Sequence, residues 1–229
     1  MTAEGKRGTL HGVSLSPFVR KVRAVLAIKS IDYELVNVMP GAMDAEFLAK
    51  SPLSKIPVWE EGDWTLPDSS AICAYLERVE PTPALYPSDP REFATALFWE
   101  EYADTRIVDS CTPIFFQRVV QEKFFKQPAD EEIVRRHLDE VMPPVFDQIE
   151  ELFLEGVLEK SLGTLDALSD QPITIATLSV WSPLVNLDHA GFELDAKVWP
   201  KLARFYEIMS GHSMLCALIE EERAAMPVK

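Results

Sequence analysis

Positive charge is scarce in this chain: 22 lysines and arginines face 37 aspartates and glutamates, for a net charge of −15 over 229 residues. So acidic a surface repels phosphate backbones and argues against nucleic acid as a partner. Cysteine is scarcer still. Cys73, Cys111 and Cys216 are odd in number, far apart and form no CxxC pair. That spacing argues against a disulfide framework and a structural zinc site, and it fits a reducing cytoplasm. The four histidines, His11, His137, His189 and His212, show no HxxxH-type spacing, so no metal is expected. No apolar run is long enough to span a membrane. The polar opening, Met1 to Gly8, lacks an apolar h-region and predicts a ragged start without a secretory signal. There is no internal repeat and no low-complexity tract.

What is present is an ordinary globular composition, 47% hydrophobic and 26% charged, with length for one large domain or two small ones. Thr9 to Ser14 reads as a first strand. Ser16-Pro17 then opens a helix over residues 17–29, because serine caps well and proline suits the first helical position. Tyr33 to Val38 alternates like a strand, and Gly41 to Lys50 is short and helical or irregular. Ile56 to Trp59 and Trp64 to Leu66 read as a hairpin around Glu61-Gly62-Asp63. Asp68-Ser69-Ser70 starts another helix, with Ala71, Ile72, Tyr75, Leu76 and Val79 on one face.

Pro81, Pro83, Pro87 and Pro90 cannot continue that helix, and they mark a linker over residues 81–91. Beyond it the pattern is helical throughout. Long helices are expected over 91–126, broken or bent at Pro113, and over 130–158, interrupted at Pro143-Pro144. A turn follows at Ser169 to Gln171, then helices over 173–187, 197–210 and 212–225. An α/β segment followed by an all-helical one predicts two domains, 1–80 and 92–229. The first 29 residues carry six basic side chains against Glu4 alone; they read as a positive patch for a small anion or as a solvated helix face.

Four short motifs fall in a telling order. Ser16-Pro17-Phe18-Val19-Arg20-Lys21-Val22 opens the first helix, and Ser51-Pro52-Leu53-Ser54-Lys55-Ile56-Pro57-Val58 leads into the hairpin. Leu66-Pro67-Asp68-Ser69-Ser70-Ala71-Ile72 opens the next helix, and Leu85-Tyr86-Pro87 lies in the linker. Together they resemble the serine-type cytosolic glutathione transferases, the tau-like and related bacterial groups in particular. The resemblance spans nearly the whole chain. It implies a thioredoxin-like βαβ-ββα domain followed by an all-α domain that holds the second substrate. It also implies glutathione as co-substrate, a homodimer and a role in detoxification.

By that resemblance Ser16 is the catalytic hydroxyl, donating a hydrogen bond to the glutathione sulfur. A thiol with a free pKa near ~8.5 must be ionised to attack, and a helix N-terminus helps by about 0.3–1 kcal/mol. Ser14 stands two residues upstream as the alternative donor, and Ser16-Pro17 is also an ordinary N-cap. Pro57 is implied to be cis, with Ile56 presenting its backbone to the cysteinyl part and Lys55 reaching the glycyl carboxylate. Ser69 is implied to take the γ-glutamyl carboxylate at a helix N-terminus, and Asp68 the γ-glutamyl ammonium. No cysteine occurs before position 73, which disfavours disulfide exchange and favours conjugation or peroxide reduction. His11-Gly12 stands where a tyrosine would mark other classes, and the Ser-Ser-Cys element of zeta-type isomerases is absent. The acceptor is expected between the domains, with Trp99, Tyr102, Arg106, Phe115 and Phe116 as candidate lining or as plain core. A non-catalytic protein of the same fold, a scaffold or binding module, is the alternative reading.

Overall fold

A computed structural model describes residues 5–156 and 173–227. The chain divides into two compact units, Met1–Ser88 and Asp89–Lys229. In the first, four strands form one sheet in the order β2-β1-β3-β4: β1 (Gly8–His11), β2 (Tyr33–Val36), β3 (Val58–Glu61) and β4 (Trp64–Pro67). β1 and β2 run parallel, and β3 is antiparallel to both β1 and β4. Three helices complete the unit: α1 (Pro17–Ile28), α2 (Ala45–Lys50) and α3 (Ser69–Val79). The order βαβαββα is the thioredoxin-like arrangement.

Each strand differs at one end or both from the sequence expectation, β2 for example ending at Val36 and not Val38, and two of the differences have a plain local cause. β1 stops at His11 because Gly12 and a turn closed by Ser16 N–H to Val13 O (3.0 Å) end it before Ser14. β3 begins at Val58 because Pro57 has no N–H to give a ladder. Leu10, Trp59 and Leu66 are cross-strand partners, so their side chains share one face of the sheet. His11, Val58 and Glu60 lie on the other, and there α2 rests. Gly8 is required by packing, since a Cβ there would lie 2.4 Å from the Trp59 ring.

The basic residues of α1 form neither a solvated face nor an open positive patch. Arg20, Lys21 and Arg23 are almost wholly buried. Lys21 Nζ donates to Ser70 Oγ (3.1 Å), and Arg23 Nε donates to Tyr33 Oη (2.8 Å). Lys29 Nζ meets Glu77 Oε2 at 2.7 Å and donates to the carbonyls of Glu80 (2.6 Å) and Pro83 (2.9 Å). Burying a cation is tolerable only with such partners, so these side chains tie α1 to β2, to α3 and to the segment after α3. Their aliphatic stems add apolar cover.

The second unit is helical. α4 covers 90–124 and starts at Asp89, whose carboxylate accepts from the N–H groups of Arg91 and Glu92, with Pro90 at the first position. It passes through Pro113 without ending. The turns on either side, Ala103–Ile107 and Phe116–Phe124, are wide π-type turns. The buried Val108, Cys111, Ile114 and Phe115 between them pack this stretch onto α6 (Ile175–His189). Packing thus outweighs the hydrogen bond that Pro113 forfeits. α5 covers 131–156 and runs through Pro143-Pro144 in the same way, just after the π turn His137–Val141.

All of α6 except Asp188 is buried, as an all-round apolar helix should be. Its cap is reciprocal: Thr177 N–H donates to Thr174 Oγ1 (3.3 Å) and Thr174 N–H to Thr177 Oγ1 (3.0 Å). α7 (Pro200–Gly211) and α8 (Ser213–Ala225) follow. The expected turn at Ser169 to Gln171 and the expected helix end near Leu158 lie outside the described residues. No helix among the described residues is long and apolar enough to cross a membrane.

Candidate functional site

Strand register brings the sequence motifs to one end of the sheet. His11 pairs with Val58, and Val58 pairs with Pro67. The residues just past those pairs are Gly12 after β1, Pro57 before β3 and Asp68 after β4, so three separate motifs share one edge. It is the carboxyl end of the parallel pair β1 and β2, where α/β sheets commonly hold ligands. Gly12 is the meeting point. A Cβ on it would lie 2.5 Å from Val19 Cγ2 in the first turn of α1 and 3.4 Å from the Ile56 Cβ. The Lys21–Ser70 hydrogen bond joins α1 to the first turn of α3.

Ser16 is the N-cap of α1. Its Oγ accepts from Val19 N–H at 3.5 Å, the outer limit of a hydrogen bond. Accepting leaves its hydroxyl proton free to donate. Ser14 lies in the preceding turn, two residues before Ser16. The Ile56–Pro57 bond is cis, and Ile56 is half-buried. Its backbone forms no hydrogen bond with another described residue, so its N–H and C=O remain for a ligand. Lys55 is exposed. Ser51 clasps it, accepting from Lys55 N–H (3.1 Å) and donating to Lys55 O (2.7 Å).

Asp68 caps α3, with Oδ1 accepting from the N–H groups of Ser70 and Ala71 at 3.0 Å each. Its φ is +82°, in the left-handed region that a non-glycine residue occupies at a cost of about 1–3 kcal/mol. Ser69 is buried, and its own N–H, the first of the helix, has no partner among the described residues. Two helix N-termini, one unpaired backbone edge and two serine hydroxyls therefore surround this end of the sheet. That set suits an anionic peptide-like ligand.

Residues 10–84 of this chain match the model of the glutathione S-transferase N-terminal domain. An uncharacterized GST-like protein of Escherichia coli is 32% identical over 162 residues, which is 70% of this chain and 77% of that protein. The chain belongs to the glutathione transferase family. A probable rice (Oryza sativa subsp. japonica) glutathione S-transferase is 31% identical over 135 residues, 58% of this chain. The match spans 63% of that relative's own length, and 51% of a second rice relative's. Among solved structures, a poplar (Populus trichocarpa) glutathione transferase is 26% identical with a TM-score of 0.73, covering 93% of this chain and 98% of its own.

Of the residues considered for an acceptor site, Trp99 and Phe115 are buried, while Arg106 and Phe116 are exposed. Trp99 packs edge-on against Tyr102 (5.2 Å between centroids) and Phe153 (5.1 Å), as core aromatics do. Burial raises the pKa of Tyr102, with Arg106 partly offsetting it. Burial also pushes the Cys111 thiol up to about 12, so Cys111 is no nucleophile near neutral pH.

A cluster that sequence reasoning missed lies on the α2 face of the sheet. Glu60 Oε2 is 2.7 Å from His11 Nε2 and accepts from Lys50 Nζ at 2.8 Å. The hydrogen bond from Lys50 holds the Glu60 carboxyl below the usual carboxylate range, burial works against it, and His11 assists. Because the folded pKa is lowered, this contribution is present above about pH 4.3 and is lost as pH falls through the folded value. No local spacing announces the cluster, since its three members come from β1, α2 and β3.

Proposed function

We propose that the protein is a glutathione transferase that ionises the glutathione thiol and directs it at a small hydrophobic electrophile or a peroxide. The observation that carries this reading is the uncommitted Ser16 hydroxyl at the N-terminus of α1, on the same sheet edge as the free Ile56 backbone and the open N–H of Ser69. In this reading the γ-glutamyl carboxylate sits on Ser69 and the γ-glutamyl ammonium on Asp68. The cysteinyl amide pairs with Ile56, held by Pro57, and the glycyl carboxylate meets Lys55. The thiol releases its proton to solvent, Ser16 donates to the resulting thiolate, and sulfur forms the new bond to the acceptor. Fold alone does not choose the acceptor. The strained φ of Asp68 supports a role beyond capping, because capping alone does not require it. Cys73, Cys111 and Cys216 form no disulfide with one another, which fits work in a reducing cytoplasm, in the manner of detoxifying enzymes.

Calorimetric titration with glutathione tests the reading, together with thiolate absorbance of the complex across pH. Saturable binding with the thiol ionised well below ~8.5 is expected. No binding at millimolar glutathione would instead favour the scaffold alternative. Within the same experiment, Asp68→Asn is expected to keep the helix cap and the stability, since asparagine caps as well as aspartate. It should weaken glutathione binding by about tenfold through the lost charge–charge contact. An unchanged dissociation constant would remove Asp68 from the site.

The resemblance also implies a homodimer. Exposed Phe93, Leu97 and Phe98 on α4 give an apolar surface suited to a second copy. Sedimentation is expected at twice the 25.8 kDa monomer mass. A monomer at all micromolar concentrations would refute the dimer.

A further inference from the structure

We propose that Glu60 is a positioning residue for the glutathione site: through Lys50 and His11 it fixes α2 on the sheet and so orders residues 51–56 without touching the ligand. This rests on the glutathione-site reading above for its effect on affinity, though not for its effect on the loop.

The case begins with the size of α2. It has six residues, too few to be stable alone, so its place depends on its anchors. Its N-cap is local, Asp44 Oδ1 accepting from Phe47 N–H at 2.8 Å. Phe47 is its one buried side chain, lying 6.3 Å from the His11 ring between centroids. Its last residue, Lys50, makes the polar anchor. Lys50 Nζ reaches Glu60 Oε2 at 2.8 Å, and the exposed Glu46 only at 3.4 Å. Glu60 is held on β3 by cross-strand pairing with Thr9 and Thr65, and its Oε2 also meets His11 Nε2. One carboxylate oxygen therefore joins two strands to the end of a marginal helix.

That end leads directly into the site. Ser51 follows Lys50 and caps α2 through Ser51 N–H to Phe47 O (3.0 Å). Its buried hydroxyl closes residues 51–55 into a loop by bonding both N–H and C=O of Lys55. Ser54 is held at a φ of +53° inside this loop. Ile56, whose backbone is free, is the next residue. Displacing Lys50 moves Ser51, and Ser51 carries Lys55 and Ile56. Ser16 lies on α1, outside this chain of contacts. Loss of Glu60 should therefore weaken capture of glutathione and leave activation of the thiol alone.

The test compares Glu60→Gln and Lys50→Met with the unmodified protein, and needs no ligand for its first half. Amide hydrogen exchange at Lys55 is expected to accelerate about tenfold in both variants, with β1, β3 and α3 unchanged. The double variant should exchange no faster than either single one, because the two residues form one contact. Unchanged exchange at Lys55 in both variants overturns the proposal. A uniform acceleration across the unit also overturns it, since that is plain destabilisation. Lys50→Met, at a partly exposed position, keeps the test open if Glu60→Gln folds poorly. In the second half, the glutathione Kd is expected to rise about fivefold, with kcat at saturating glutathione and the pKa of the bound thiol unchanged. Equal losses in affinity and kcat, or local loosening with an unchanged Kd, would contradict it. If the unmodified protein binds no glutathione, the transferase reading fails, while the exchange data still decide whether Glu60 orders the loop.

Discussion

Ser16→Ala is expected to reduce kcat for conjugation by about 10²–10³-fold, the usual cost of deleting one donor aimed at a developing anion. Glutathione affinity should change little, because Ile56, Asp68 and Ser69 contact other parts of the tripeptide in the proposed pose. The thiol of the bound glutathione should titrate closer to its free value of ~8.5, so the acid limb of the pH–rate profile moves to higher pH. Folding should be nearly untouched. The cap bond from Val19 N–H is 3.5 Å long, and Pro17 already sets the first helical φ. Thiolate absorbance against pH and steady-state kinetics provide the two readouts. Ser14→Ala is the control. If it abolishes activity while Ser16→Ala is silent, the donor is Ser14 and the assignment is wrong.

Glu77→Ala carries the largest expected loss of stability, about 3–5 kcal/mol, because it leaves a buried charge without its counter-ion. The Lys29 side chain is wholly buried, and Glu77 is its partner at 2.7 Å. The same carboxylate accepts from the N–H of Leu85 (3.1 Å) and of Tyr86 (3.3 Å), and both of those bonds would be lost with it. Against a typical total of about 5–15 kcal/mol, such a loss removes a large share of the stability. Adding Lys29→Met removes the stranded ammonium and should restore much of the loss, since apolar replacement of a whole buried pair is often near neutral. Urea denaturation, followed by hydrogen exchange in β1 and β3 of the first unit, measures both. A loss below about 1 kcal/mol for Glu77→Ala, the worth of an exposed pair, would show that the pair is worth no more than a surface one.

The motif residues were legible because each carries its own local chemistry. Ser16-Pro17 and Asp68-Ser69 are helix starts that capping preferences reveal, and Ile56-Pro57 stood out because it matches a family pattern. The charges of α1 were not legible. Arg20, Lys21, Arg23 and Lys29 read in sequence as a solvated face or an anion-binding patch, yet they are buried. Their partners Ser70, Tyr33 and Glu77 lie 49, 10 and 48 positions away. Pro113, read as a break or a bend, and Pro143-Pro144, read as an interruption, end neither helix. Local propensity says break, whereas apolar packing and widened turns keep α4 and α5 continuous.

By itself, then, the sequence determined the order of elements, the division into an α/β and an all-α part, and the residues Ser16, Ile56, Pro57, Asp68 and Ser69 as candidates for one ligand. Those signals are local, written in caps, prolines and periodicity within a few positions of one another. Only the tertiary structure decided that these residues share one edge of the sheet, that the α1 cations are internal, and that Glu60 gathers Lys50 and His11. Each of these depends on strand register and helix packing, which join residues far apart in the chain through contacts that neighbouring positions do not encode.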